Sequence, residues 1–234
     1  MNFNNKDSLV HYFEQQQELY GGKLVFDKSV IELVKNIPWT ASEAWQKTMN
    51  LTDFYNEIKD CQKCPLGASR MKLVFGVGDP NAGLMFIGEA PGRDEDLQGE
   101  PFVGRAGQLL DKILDAIELN RTMVYIANVL KCRPPNNREP STGEIACCEL
   151  YLEHQIRLIK PLLIVALGRV AIQTLLHTSE PLSSLRGKVH QYKGIDVMVT
   201  YHPAALLRNE NFKRPTWEDM KVIKQHYLNK KRNY

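Results

Sequence analysis

No stretch of this 234-residue chain approaches the roughly 20 consecutive apolar residues that a membrane-spanning helix needs, so no membrane partner is expected. The opening Met1-Asn2-Phe3-Asn4-Asn5-Lys6-Asp7 lacks the apolar core of a signal peptide, and a cytoplasmic location is the expectation. Excess charge of one sign is lacking too. Thirty Lys and Arg against 27 Asp and Glu leave a net +3, which reads as a neutral enzyme with solvated charges. Cations are nonetheless clustered at Arg133 and Arg138, at Arg208, Lys213 and Arg214, and at Lys230-Lys231-Arg232. A duplex-binding face needs a few well-placed cations, not a high total. Cysteines are few, five in all, and without an export signal they argue against a disulfide framework. There is no internal repeat and no low-complexity tract. No Gly-x-Gly-x-x-Gly follows the first strand, which weakens a Rossmann-type nucleotide enzyme as a reading.

What is present suits one α/β domain with some extra, or at most two small ones: 43% hydrophobic and 24% charged residues. Helical pieces are expected over Leu9–Tyr20, closed by Gly21-Gly22, and over Val30–Ile37, ended by Pro38. They make residues 1–40 a helical extension, and 41–234 the main domain. A helix over Leu51–Asp60 runs into Cys61-Gln62-Lys63-Cys64. Strands are expected at Leu84–Ile87, Met123–Val129 and Leu162–Leu167, with a hairpin of Val189–Tyr192 and Ile195–Thr200 around Lys193-Gly194. Ser141 and Glu144 form a capping-box pattern ahead of a helix with Ile145, Cys148, Leu152, Ile156 and Ile159 on one face. Further helices are expected over Val170–Leu176 and from Thr216, the latter with Trp217, Met220, Ile223 and Tyr227 on its buried side. Alternating strands and helices imply a three-layer α/β/α domain with a mainly parallel central sheet.

The chain is organised around Gly88-Glu89-Ala90-Pro91-Gly92 to Gly104-Arg105-Ala106-Gly107, expected to be a long loop between the Leu84–Ile87 strand and a helix carrying Leu110, Ile113 and Leu114. Loops at the carboxyl ends of strands are where an open α/β sheet binds ligands. The carboxylates of this one would repel a phosphate, so it suits a polarised neutral group or a transiently cationic one.

The same stretch resembles the first motif of the family 4 uracil-DNA glycosylases, the iron–sulfur members of the uracil glycosylase superfamily: Gly-Glu-Ala-Pro-Gly, then Glu-Asp, then Gly-x-Pro-Phe-Val-Gly-x-Ala-Gly-x-Leu-Leu. The resemblance spans residues 44 to 228 and implies a uracil-DNA glycosylase-like fold. It implies a monofunctional enzyme that flips uracil out of DNA and hydrolyses its N-glycosidic bond, leaving an abasic site. Uracil-containing DNA is then the partner, and a monomer is expected.

Cys61-x-x-Cys64 lets two sulfurs turn toward one metal centre, and Cys132 with the Cys147-Cys148 pair lies downstream. On a helix Cys147 is rotated about 100° from Cys148, which faces inward with the apolar positions. From these ligands alone, zinc and an iron–sulfur cluster are equally open. The family pattern Lys-Cys-Arg-Pro-Pro-x-Asn-Arg-x-Pro fits Lys131 to Pro140, and its last cysteine falls on Cys148. The resemblance therefore implies a structural [4Fe–4S] cluster on Cys61, Cys64, Cys132 and Cys148.

It also implies the site. Phe102 matches the ring on which the flipped base stacks. Asn128, at a strand's carboxyl end, can give its amide oxygen to uracil N3–H and its nitrogen to O4, and cytosine presents the opposite pair. His202, in His-Pro-Ala-Ala-Leu, matches the donor to the departing base's O2. Glu89 is the carboxylate for the cationic sugar and attacking water. Ala90 stands where the best-known uracil glycosylases have an aspartate; the family 4 pattern has a small residue there, which leaves water activation to Glu89, Glu95 or electrostatics. Glu95 is expected near uracil C5, where it would crowd a thymine methyl. Leu206 is expected as the wedge filling the gap in the duplex, with Leu207 the competing choice, and Arg208 as a phosphate grip. Arg133–Arg138 replaces the histidine-containing insert of a self-crosslinking branch, so turnover is expected. The alternative of another class is a non-catalytic iron–sulfur DNA-binding module.

Overall fold

The computed structural model of the protein describes residues 43–232. The helices expected over Leu9–Tyr20 and Val30–Ile37, and the extension over 1–40, lie outside the described residues. A 3₁₀ turn at Ala44–Lys47 belongs to a first compact unit, and a second begins at Thr48.

That second unit starts with α1 (Leu51–Ile58), capped by the Asn50 side chain accepting from the Asp53 N–H, and the one-turn α2 (Leu66–Ser69). Then come β1 (Val77–Gly78), β2 (Leu84–Gly88), α3 (Arg93–Gln98), α4 (Arg105–Ala116), β3 (Tyr125–Asn128) and α5 (Thr142–Ile159). The rest is β4 (Leu163–Leu167), α6 (Arg169–Leu176), α7 (Leu182–Leu185), β5 (His190–Tyr192), β6 (Ile195–Thr200), α8 (Pro203–Arg208) and α9 (Lys213–Arg232).

The six strands lie in the order β1-β3-β2-β4-β6-β5. The four inner strands are parallel, and β1 and β5 close the edges antiparallel. Every residue of β2, β3 and β4 is buried, as continuous apolar runs covered on both faces must be. Alternation splits their side chains between two cores. Met85, Ile87, Ala127 and Val199 pack with Leu152 and Ile156 of α5 and Ile172 of α6. Leu84, Phe86, Ile126 and Val165 pack with Leu110 and Leu114 of α4 and Ile223 of α9. The result is the layered α/β/α arrangement expected from the strand–helix alternation.

Register places the site. Gly88 pairs with Asn128, and Leu167 with Thr200, so four strand ends reach one edge together. The chain lays β3 on one side of β2 and β4 on the other, and connections leaving this edge diverge there, opening a crevice.

Several local expectations need correction. The acidic stretch after β2 is not one loop: Arg93–Gln98 is helical, with three acids in its first turn where the positive end of the helix dipole favours them. The segment after Tyr201 is likewise helical, because Pro203 at its first position is preset for a helix. Thr216 does not cap α9, which begins at Lys213; its hydroxyl donates to the Phe212 carbonyl one turn back. Trp217 is 42% exposed, whereas Met220, Ile223 and Tyr227 are buried as expected. The hairpin is present, and its turn uses left-handed conformations at both Lys193 and Gly194.

Candidate active site

A cavity of about 660 Å³ opens at the carboxyl edge of the sheet, lined among others by Glu89, Phe102, Asn128, Arg169, His202 and Arg208. Its floor depends on Gly88. A Cβ there would lie 2.5 Å from Asn128 Oδ1 and 2.6 Å from Phe102 Cζ, so glycine lets the amide and the ring meet across the end of β2. Asn128 is 2% exposed, and its Oδ1 is the one buried side-chain oxygen or nitrogen without a hydrogen-bond partner among the described residues. A buried acceptor left unpaired costs about 1–3 kcal/mol. Such an atom beside a cavity is a place where a ligand donor belongs.

Phe102 is 5% exposed and holds a left-handed backbone, φ 55°, which is strained for a bulky side chain. Two devices hold it. The Arg121 guanidinium donates to the Phe102 carbonyl and to that of Pro101 while its Nε pairs with Asp111 at 2.7 Å. Glu95 accepts from the N–H groups of Val103 and Gly104 at 2.9 Å each and of Gly92 at 3.1 Å. Glu95 lines the cavity, yet both its oxygens are spent on the loop. The carboxylate clamps the segment that carries Phe102 while its side chain remains in the cavity wall.

His202 stacks on Phe102, with ring centroids 5.3 Å apart and planes inclined 29°. Its Nδ1 accepts from the Ala204 N–H at 3.1 Å, so in the neutral ring the proton sits on Nε2. Burial, seconded by the charge of Arg208, pulls its pKa down to about 4, and the imidazole is a neutral donor at pH 7. Gly168, in a left-handed conformation, permits the approach: a Cβ there would sit 2.9 Å from the His202 Cβ.

Glu89 is raised above the ordinary carboxyl range, first by burial and then by Glu139, while Arg169 and Arg208 oppose the shift. Ala90 lines the wall beside it. Arg169 ion-pairs with Glu139 at 2.5 Å, both side chains exposed. Sequence reasoning passed over Arg93, Arg105 and Arg169, all in the lining. For Arg169 a signal existed: it follows Gly168 directly past the carboxyl end of β4.

Leu206 is contradicted as a wedge. It is 3% exposed and packed inward, whereas Leu207 is 43% exposed. One residue's rotation on α8 separates the two, and a wedge must stand off the surface.

Cys132 and Cys148 are buried, Cys61, Cys64 and Cys147 partly so, and none of the five is in a disulfide. Burial pushes the Cys148 thiol up to about 12. Hydrogen bonds converge on the sulfurs: Lys63 N–H at 3.5 Å and Tyr151 O–H at 3.3 Å on Cys61, Arg70 at 3.5 Å on Cys132, and Lys131 N–H at 3.3 Å on Cys148. Donors aimed at sulfur suit thiolates, so the set fits a thiolate-held group. Among the described residues, no three His, Cys, Asp or Glu side chains are arranged to hold a single metal ion.

Residues 75–221 match the model of the uracil DNA glycosylase superfamily. The chain is 45% identical over 182 residues to a type-4 uracil-DNA glycosylase of Archaeoglobus fulgidus, covering 74% of this chain and 92% of the relative. It is 42% identical over 171 residues to the type-4 protein of Thermotoga maritima, covering 71% and 89%. A type-5 uracil-DNA glycosylase of Pyrobaculum aerophilum is 29% identical over 206 residues, covering 73% and 89%.

Proposed function

The chain belongs to the uracil DNA glycosylase superfamily, and from that premise we propose that it excises uracil from DNA by hydrolysing the N-glycosidic bond, leaving an abasic site. One observation carries the reading: the unpaired Asn128 Oδ1 at the base of a cavity that also holds Phe102 and His202. A module that only bound DNA would have no use for an orphaned amide oxygen in a pocket.

Uracil supplies the missing donor. N3–H goes to Asn128 Oδ1 and O4 accepts from Nδ2; cytosine meets this amide donor to donor and acceptor to acceptor. A site that leaves buried polar groups unpaired can reject the wrong partner strongly, by about 10⁴-fold. At 5.3 Å the Phe102 and His202 rings leave no room for a base between them. The base therefore meets the phenyl face from the cavity, with the imidazole at its edge. Bond cleavage places negative charge on O2 and oxocarbenium character on the sugar. The Nε2–H of neutral His202 donates to O2 without an imidazolium to form first, worth roughly 3–4 kcal/mol. Glu89 serves the sugar cation and the incoming water, its raised pKa bringing it closer to the range where a carboxyl accepts a proton.

Leu207 is the wedge, and Arg169 and Arg208 hold phosphates. Cys61, Cys64, Cys132 and Cys148 would hold a [4Fe–4S] cluster. Zinc would take the same four thiolates, and the match of Lys131–Pro140 and Cys148 to the family pattern is what favours the cluster. Bound, it would cross-link the segment after α1 to the segment after β3 and to α5. A reducing cytoplasm suits five cysteines with no disulfide among them. The domain is taken as residues 41–234, acting as a monomer.

A labelled oligonucleotide carrying one uracil tests the reading. After incubation and alkali, strand breaks at the uracil support it, and binding without breaks removes it.

A further inference from the structure

Behind Asn128, on the side away from the cavity, lies a buried polar group that the reaction itself does not use. Lys131 is 1% exposed. Its Nζ donates to the Asn128 main-chain carbonyl at 2.8 Å and to Gln155 Oε1 at 2.6 Å. Gln155, wholly buried on α5, donates in turn to the Phe75 carbonyl at 2.9 Å and bonds the Tyr125 hydroxyl at 3.4 Å.

Sheet register explains why the group exists. β1 pairs with β3 only at Val77↔Ile126 and Gly78↔Tyr125. Carried two residues further, that register would set Phe75 opposite Asn128, but the ladder has already ended. Two carbonyls are thus stranded in the interior where a strand partner would have served them. A long cationic side chain and a buried amide take the partner's place. A hydrophobic residue at 131 would leave the Asn128 carbonyl and Gln155 Oε1 unpaired.

We propose that Lys131 is a positioning residue for base recognition. By pinning the Asn128 carbonyl it fixes the peptide at the end of β3, and through it the aim of the Asn128 amide. The inference rests on the reading of Asn128 as the uracil reader. An asparagine whose amide turns over would present its donor where uracil N3–H arrives and favour cytosine, so selectivity needs the backbone beneath it to be rigid. The Lys131 N–H also bonds Cys148 and its carbonyl accepts from Val74, which ties this residue at both ends. Its side chain is thereby held between two acceptors, the Asn128 carbonyl and Gln155 Oε1.

A double-mutant cycle tests this, measured as single-turnover uracil release together with the uracil-to-cytosine rate ratio. The variants are Lys131→Met and Asn128→Ala, alone and combined. Lys131→Met alone is expected to slow release about 10- to 100-fold and to lower the uracil-to-cytosine ratio. In the Asn128→Ala background it is expected to slow release less than about twofold. Equal losses in both backgrounds, or an unchanged ratio, overturn the proposal and leave Lys131 a purely structural group. Should Lys131→Met not fold, the near-isosteric Gln155→Glu replaces it in the cycle. A carboxylate there draws the ammonium off the Asn128 carbonyl, and about a 3- to 10-fold loss confined to the Asn128 background is expected. No loss, or one independent of Asn128, overturns the proposal equally. A wild-type enzyme that released no uracil, or an Asn128→Ala variant of normal rate, would instead remove the reading beneath it.

Discussion

The Ala204 backbone N–H donates to Nδ1 of His202, two residues before it, and this 3.1 Å bond decides which nitrogen faces the cavity as a donor. With the pKa pulled down to about 4, the ring is neutral across the physiological range. Heteronuclear NMR at pH 6.5 is expected to show His202 as the Nε2–H tautomer, uncharged. His202→Ala should slow uracil release about 10²- to 10³-fold.

The same shift fixes the sign of a stability effect. An unfolded histidine takes its proton near pH 6.5, well before the folded one does. Between those values the unfolded state binds more protons, so this group's contribution is intact above pH 6.5 and is lost as pH falls toward 4. Melting temperatures of His202→Ala should therefore decline less than those of wild type over that window. Parallel curves would contradict the burial assigned to the ring.

Gly88→Ala places a methyl 2.5 Å from Asn128 Oδ1 and 2.6 Å from the Phe102 ring. Overpacking of this kind costs about 1–3 kcal/mol. Because both displaced groups belong to the base pocket, release should slow by more than the lost folded fraction explains. Comparing rate per folded molecule, from denaturant melts and single-turnover assays, separates the two effects.

Leu206 and Leu207 are expected to fail in opposite ways. Leu206→Ala opens a cavity in the packed interior and should cost about 2–5 kcal/mol of stability. Leu207→Ala should stay within about 0.5 kcal/mol of wild type in stability. Its loss should appear as slower excision from duplex DNA, where a flipped base leaves a gap to fill, with little change on single strands.

Among the cysteines, Cys148→Ser should remove brown colour, iron and sulfide from protein prepared without oxygen, and Cys147→Ser should leave all three. A colourless wild-type protein containing zinc would overturn the cluster assignment.

The central strands β2, β3 and β4 were legible as continuous apolar runs, a pattern that burial on both faces leaves in any sequence. The two-residue, partly buried edge strand β1 was not among those expected. Phe102, Asn128 and His202 were legible as residues because each follows a strand or a glycine-rich turn in a recognisable motif. How they are held was not. Arg121 reaches Phe102 from 19 positions away and Gln155 meets Lys131 from 24, pairings that only the folded chain creates. The acidic run read as loop because of its glycines and prolines, and its carboxylates were weighed only as repelling phosphate. They also favour a helix N-terminus, and that second effect shaped Arg93–Gln98. Leu206 and Leu207 could not be separated without the phase of a six-residue helix preset by Pro203. Trp217 was misplaced because an indole reads as core, while α9 turns that position outward.

The most direct test is quantitation of free base from matched oligonucleotides carrying a single uracil, cytosine or thymine, with wild type, Asn128→Ala and His202→Ala side by side. Wild type is expected to release uracil one for one with abasic sites and to leave cytosine and thymine in place, and each variant to be slower by about 10²-fold or more. Absence of uracil release by wild type, or near-normal rates in both variants, would contradict the account.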